Sequence, residues 1–181
     1  AGRPVLVPVR FDDTTHLFLL DTGAEITVFD QSFENNLTLL PGYIELATTS
    51  QPQNLPRYQT PQASVGPLIL ADLDYVVCMD LSDLRRITGY DIEGILGMDF
   101  LQHYVLRLDF DGGKLSFLTS SGSHAGSAIP MKFVHTRLPS VTVEYGTTRR
   151  ELAILDTVAD SSGAIGTQLL HELRKSGEVQ V

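Results

Sequence analysis

Two Asp-Thr dipeptides stand where their side chains could do acid–base chemistry. Asp21-Thr22-Gly23 follows the apolar run Leu17-Phe18-Leu19-Leu20 and leads at once into Ile26-Thr27-Val28-Phe29. Asp156-Thr157 follows a similar run, Leu152-Ala153-Ile154-Leu155. An acid at the mouth of a buried strand is costly unless its surroundings support it. Gly23 allows a tight backbone turn that brings main-chain N–H groups near the Asp21 carboxylate. The tripeptide alone is open to two readings: an ordinary surface turn, or a catalytic aspartate that moves protons.

The elements that must position these acids follow from the pattern of the chain. Residues 5–11, VLVPVRF, and 16–20, HLFLL, flank the polar turn Asp12-Asp13-Thr14-Thr15, so two strands are expected. Pro8 has no N–H to give, which confines the first strand to an edge or a bulge. ITVF, 26–29, continues as strand beyond the turn, and YIELATT, 43–49, follows Pro41-Gly42 as another. Residues 50–64, SQPQNLPRYQTPQAS, are polar, proline-rich and aperiodic. A long loop is expected there, either a lid or disordered, with Tyr58 a loosely held surface side chain. Two short strands split near Asp72, and one or two helical turns over 81–87, lead to the short apolar strand Ile95-Leu96-Gly97. Met98 to Tyr104 then suits a short helix, and VLRLDF with KLSFL a hairpin over Asp111-Gly112-Gly113.

Ser120 to Ser127 is rich in Ser and Gly, a linker by composition. The expected plan is therefore a first domain over 1–119, a linker over 120–128 and a further unit over 129–181. That unit echoes the first. SVTVEY, a Gly-Thr-Thr turn and ELAILDTVADSSGAI repeat two strands, an apolar run and Asp-Thr, with Asp156 in the place of Asp21. It closes on a helix in which Ile165, Leu169, Leu170 and Leu173 share one face and Arg174-Lys175 occupy the last turn. It holds no later match to GILGMDFL (94–101), so the second repeat is expected to be incomplete.

Composition bounds the partners. The chain has 181 residues, 43% of them hydrophobic, enough for a substantial core. A formal net charge of -9 argues against a nucleic-acid backbone or an anionic membrane surface as partner. No apolar run reaches the ~18 residues of a membrane-spanning helix. Cys78, the only cysteine, lies between Val77 and Met79 and is expected to be a buried small hydrophobe. The five histidines show no metal-ligand spacing, and no GxSxG elbow exists, so neither a metal nor another cofactor is expected. Asp99, Asp109 and Asp111, like Asp72, Asp74 and Asp80, suit solvated acids better than a metal cluster.

LLDTGAEITVF (19–29) together with GILGMDFL (94–101) resembles the retropepsin-like aspartic proteases of retroviral and pepsin type, most closely the bacterial retropepsin-like proteins. The likeness covers residues 4–119 in order. It implies a mainly β fold, a closed or nearly closed β-barrel with one or two short helices, followed here by the partial second repeat. It implies that Asp21 is a catalytic carboxylate, that Thr22 grips the opposing copy of the turn, and that Gly23 lets the turn approach a peptide or protein substrate. Residues 44–62 occupy the place of that family's flap but lack its glycine-rich tip.

One such turn is not enough for peptide hydrolysis, which needs a base for water and an acid for the carbonyl oxygen. Two adjacent carboxylates share one proton, and their apparent pKa values split by roughly 3 units. Two routes supply the second acid. A homodimer would pair Asp21 with Asp21 of another chain, and the completeness of the first 119 residues favours it. A pepsin-like arrangement would pair Asp21 with Asp156 of the same chain. Against that stands Val158, where the family has Gly, expected to crowd the turn and its grip and to strain any positive φ. The leading expectation is an aspartic endopeptidase cutting extended apolar-rich peptides as a homodimer. The alternative is a catalytically inactive protease-like fold, or a truncated pepsin-like bilobal protein, that acts as a binding module with Asp156 as a degenerate partner.

Overall fold

The structure, a computed structural model, describes residues 4–47, 52–120, 126–135, 137–145, 149–159 and 163–177. The fold is mainly β. Strands β1 (Leu6–Phe11) and β2 (Thr14–Leu20) form a hairpin across a two-residue turn, with Phe11 opposite Thr14. Asp12 and Asp13 both take positive φ, 48° and 61°, a conformation short acidic side chains tolerate in such turns. Pro8 is accommodated because β1 meets its other neighbour at a single position, Arg10 opposite Ser64.

Beyond the Asp-Thr-Gly turn come β3 (Val28–Asp30), a 3₁₀ helix (Gln31–Asn36), β4 (Leu39–Leu46), β5 (Gln53–Tyr58), β6 (Ser64–Val65), β7 (Leu68–Ile69) and β8 (Val76–Met79). Helix α1 (Ser82–Thr88), β9 (Gly94–Leu96) and helix α2 (Met98–Leu101) follow. Nine strands join in the order β4-β5-β8-β3-β9-β2-β1-β6-β7. β9 is inserted between β2, which it meets in parallel, and β3, which it meets antiparallel. This insertion places the Gly94–Leu96 backbone behind the Asp21 turn. The expected closure into a barrel is not among the pairings: the order ends at β4 and β7, and no ladder joins those two among the described residues.

The apolar run before Asp21 is continuous because both faces of β2 are covered. Phe18 and Leu20 enter one core with Val7, Val9, Phe29, Leu96, Phe100 and Leu101, while Leu19 enters a second with Ile26, Val28, Val77, Leu81 and Ile92. Cys78 is buried as expected, and burial pushes its thiol up to about 12.

The long loop expected over 50–64 is a correction. Its centre is β5, paired with β4 on one side and β8 on the other, so the flap region is an antiparallel hairpin, with 48–51 outside the described residues. The prolines hid it. Pro56 pairs opposite Tyr43 just past a bulge at Pro41-Gly42, where Gly42 has φ +92° and the Arg57 guanidinium donates to the Pro41 carbonyl. Tyr58 is accordingly buried, at 6% exposure, rather than loose on the surface.

The hairpin of β10 (Val105–Asp109) and β11 (Lys114–Leu118) forms as expected. Of the linker, 121–125 lie outside the described residues. A three-stranded sheet of β12 (Met131–Val134), β13 (Leu138–Tyr145) and β14 (Arg149–Ile154) follows, then helix α3 (Thr167–Lys175). β12 had no sequence expectation. Leu138 is buried in the first core and Leu173 of α3 is almost wholly covered; an Arg149–Glu172 ion pair of 2.7 Å ties α3 to β14. Yet apolar side chains stay exposed on both faces of this sheet, Met131 and Phe133 on one and Leu152 and Ile154 on the other, by the register of the ladders.

Candidate active site

Asp21 leaves β2 directly, and its backbone N–H donates to Leu96 O of β9 at 3.1 Å. The corner between β9 and α2 then clamps the turn from behind. Met98 N–H donates to Ala24 O at 2.8 Å and Asp99 N–H to Glu25 O at 3.1 Å. Gly97 has to be glycine there, since a Cβ would stand 2.5 Å from the carbonyl carbon and oxygen of Ile26.

Asp99, expected to be a solvated acid, is instead a buried brace at 7% exposure. It accepts from Thr27 N–H at 2.9 Å, from the Thr27 hydroxyl at 2.7 Å and from Phe100 N–H at 2.8 Å. The Thr27 hydroxyl in turn accepts from Gly97 N–H at 3.2 Å. Burial raises the Asp99 carboxyl above its ordinary value, while its Thr27 and Phe100 donors pull the other way. Its position immediately after the apolar-Gly strand was visible in the sequence. Its burial was not, because the residue it holds lies 72 positions away.

The central geometry is an interlock of two turns. Thr22 N–H donates to the Thr157 hydroxyl at 3.1 Å, and Thr157 N–H donates to the Thr22 hydroxyl at 3.1 Å. The Thr22 hydroxyl donates to Leu155 O at 2.6 Å, and the Thr157 hydroxyl to Leu20 O at 2.8 Å. The four bonds form a reciprocal set that relates 20–23 to 155–158 by a local two-fold. Each carboxylate is held alike: Gly23 N–H donates to Asp21 Oδ1 at 2.7 Å and Val158 N–H to Asp156 Oδ1 at 2.7 Å. A Cβ on Gly23 would lie 2.8 Å from Asp156 Cγ and 3.1 Å from Asp21 Oδ1, so both carboxyl groups converge on that glycine.

Asp21, Thr22, Gly23 and Asp156 therefore come together in one chain. Within this chain Thr22 gives its hydroxyl and its N–H to Leu155 and Thr157, which sets the Asp21 turn against the Asp156 turn. The expectation for Val158 is corrected. The grip forms with Val158 in place, and Val158 is absent from the residues with positive φ. Gly23 likewise needs no positive φ; the approach of Asp156 is what excludes a side chain. Thr157 was overlooked in the sequence, although the repeated Asp-Thr already carried it.

The electrostatics are unequal. Asp21 is half-buried and Asp156 exposed. Burial, and next the charge of Asp156, raise the Asp21 carboxyl from 3.8 to about 6, against the pull of the Gly23 and Ala24 N–H groups. Beside the turns lies the second apolar core, against which Val158 and the flap-region residues Ile44, Leu46 and Leu55 pack. Among the described residues no group of His, Cys, Asp and Glu could hold a metal ion.

A β-sheet that wraps an Asp-Thr-Gly turn, backed by a crossing apolar-Gly strand and locked to a second Asp-Thr turn, defines an acid-protease fold. The chain matches the aspartyl protease family over residues 7–100 and belongs to it. That span contains Asp21 and Gly97 but ends before Asp156. No curated protein matches the chain.

Proposed function

We propose that the protein is an aspartic endopeptidase whose two carboxylates, Asp21 and Asp156, come from one chain. The observation that carries this reading is the reciprocal Thr22–Thr157 interlock, which sets both acids beside Gly23. In this division of labour Asp21 holds the shared proton at mildly acidic pH, since its carboxyl is the desolvated one. It donates to the scissile carbonyl oxygen, while ionised Asp156, open to solvent, takes a proton from the attacking water. Residues 129–177 act as a second, shorter unit that delivers Asp156. The half-buried side chains Ile44, Leu46, Leu55 and Val158, which pack against the buried core of Leu19, Val28 and Val77, leave apolar surface that supports extended apolar-rich peptides as substrates.

The test is Asp156→Asn assayed with an apolar-rich peptide at pH 4 to 6. Cleavage should fall by at least about a thousandfold. Specific activity of the unaltered protein should stay constant on dilution. Full activity in D156N, with specific activity that collapses on dilution, would return the second carboxylate to a partner chain.

A further inference from the structure

The two-fold that relates the turns extends into the hairpins behind them. In β1–β2, Leu6 lies opposite Leu19 and Val7 opposite Phe18; in β13–β14, Ser140 lies opposite Ile154 and Val141 opposite Ala153. Leu20 N–H donates to Val5 O at 2.9 Å, and Leu155 N–H to Pro139 O at 2.8 Å. Since Leu155 bonds inward to β13, the peptide groups of Leu152 and Ile154 face the outer edge, as those of Leu17 and Leu19 do in β2. There the likeness stops. The outer edge of β2 is taken by β9, which runs parallel to it with Ile95 beside Leu19. Leu17 O accepts from Glu93 N–H at 2.8 Å, and Leu96 O from Asp21 N–H at 3.1 Å. β14 is the last strand of its sheet, and among the described residues no backbone pairs with that edge or accepts from Asp156 N–H. Phe18, Leu19 and Leu20 are fully buried, whereas Leu152, Ile154 and Leu155 are 50%, 43% and 44% exposed.

We infer that the outer edge of β14 is a docking site for one extended strand of a partner protein, parallel to β14, with a basic residue followed two and three places on by apolar ones. The strand that fills the equivalent edge supplies the template. In β9 the apolar pair is Ile95-Leu96, and two places before it stands Glu93, whose Oε1 meets His16 Nδ1 at 2.9 Å. At the His16 position β14 carries an exposed acid, Glu151. The charge on the host strand is therefore inverted, and its complement on the incoming strand is Lys or Arg. The formal net charge of -9 favours a basic partner and disfavours a second copy of this chain. A second copy has no matching strand to lend, because its own β9 lies between β2 and β3. Gly94 of β9 has to be bare because a Cβ would stand 2.2 Å from the Phe18 ring, but Ala153 occupies that position in β14, so the partner has no such need for glycine. Main-chain hydrogen bonds along an open edge supply the affinity of such an addition, and the alternate side chains its selectivity.

The experiment uses a fluorescent peptide copying residues 91–98 and its Glu93→Lys form, titrated into the protein at pH 7.5 and followed by anisotropy. Both should bind saturably, the Glu93→Lys peptide about threefold more tightly. Glu151→Lys in the protein should reverse that preference. Ile154→Pro removes an outward N–H and no bond to β13, and should weaken both peptides by about tenfold or more. In the unaltered protein, the peptide should slow amide exchange at Ile154 and Asp156 and leave β1 unchanged. No saturable binding up to about 1 mM overturns the inference, as does binding that folded I154P retains in full. If I154P does not fold, the exchange map decides, and protection confined to residues outside β14 and the Asp156 turn overturns it. Sedimentation showing a dimer of the protein alone that Glu151→Lys disrupts would give the edge to a second copy and overturn the assignment to a partner. None of these readouts depends on peptide cleavage, so the inference and the peptidase reading stand or fall separately.

Discussion

Asp21→Asn should abolish peptide cleavage and, at neutral pH, make the protein more stable than it is now. Loss of the proton that Asp21 shares removes the acid of the pair, and kcat should drop by at least about 10³-fold. The stability gain has the opposite sign to most active-site substitutions, and the sign follows from linkage. The carboxyl has a folded-state value of about 6 against 3.8 ordinarily, so between those values the folded chain binds the proton and the unfolded chain does not. Its favourable share is whole below pH 4 and is lost as pH rises through 6. Above that the ionised group penalises the fold by about 3 kcal/mol, an upper figure for a half-buried site. Asparagine keeps an acceptor for Gly23 N–H and carries no charge. Urea unfolding at pH 7.5 and pH 4 should show D21N more stable at the first and the gap closing at the second. A destabilised D21N at pH 7.5 would contradict the placement of the carboxyl in a desolvated, acid-facing site.

The second large effect is expected from Thr22→Val. The substitution keeps shape and removes one hydroxyl, which donates to Leu155 O and accepts from Thr157 N–H. Thr22 is only 8% exposed, so water cannot readily stand in. Two backbone groups lose their partner, at about 1–3 kcal/mol each. The loss falls on the join between the first sheet and residues 155–158, so amide exchange at Thr157 and Val158 should rise far more than at β9. Cleavage should fall steeply because the two carboxylates lose their fixed spacing. Thr22→Ser keeps the hydroxyl and should retain most of both. Thr157→Val should act like Thr22→Val, and the double variant should cost less than twice either, since the four bonds form one unit. Unchanged exchange at Thr157 in T22V would mean that packing alone holds the turns together.

Much of this fold was legible because the first domain's strands announce themselves. HLFLL, GILG and the VLRLDF–KLSFL hairpin lie where the pattern put them, and Leu169, Leu170 and Leu173 fall on α3, whereas Ile165 precedes that helix and is exposed. The flap-region hairpin escaped because Pro41, Pro52 and Pro56 erase alternation, and a bulge restores the register only in three dimensions. Barrel closure was inherited from a likeness, and ladder order is not a local property. In the site, Asp21, Thr22 and Gly23 were readable as a motif. The partner acid was readable as a repeat, yet the choice between partners turned on Val158. Its cost was judged from the chain's expected φ, whereas the turn is held by hydrogen bonds that leave φ ordinary. Asp99 escaped for a related reason: a carboxylate's solvation depends on who donates to it, and two of its donors come from Thr27, just before β3.

The apolar side chains left bare on both faces of the β12–β13–β14 sheet have a colloidal consequence. At neutral pH a formal charge of -9 keeps molecules apart. That repulsion is built from 22 carboxylates against 13 cationic residues, and it fades as pH falls through the carboxylate range. The acidity that would arm a shared-proton pair thus also discharges the surface around Met131, Phe133, Leu152 and Ile154. Light scattering should rise below about pH 5. Lys or Glu at Phe133 and Leu152 should suppress it. The pH window proposed for cleavage and the pH of greatest stickiness therefore coincide.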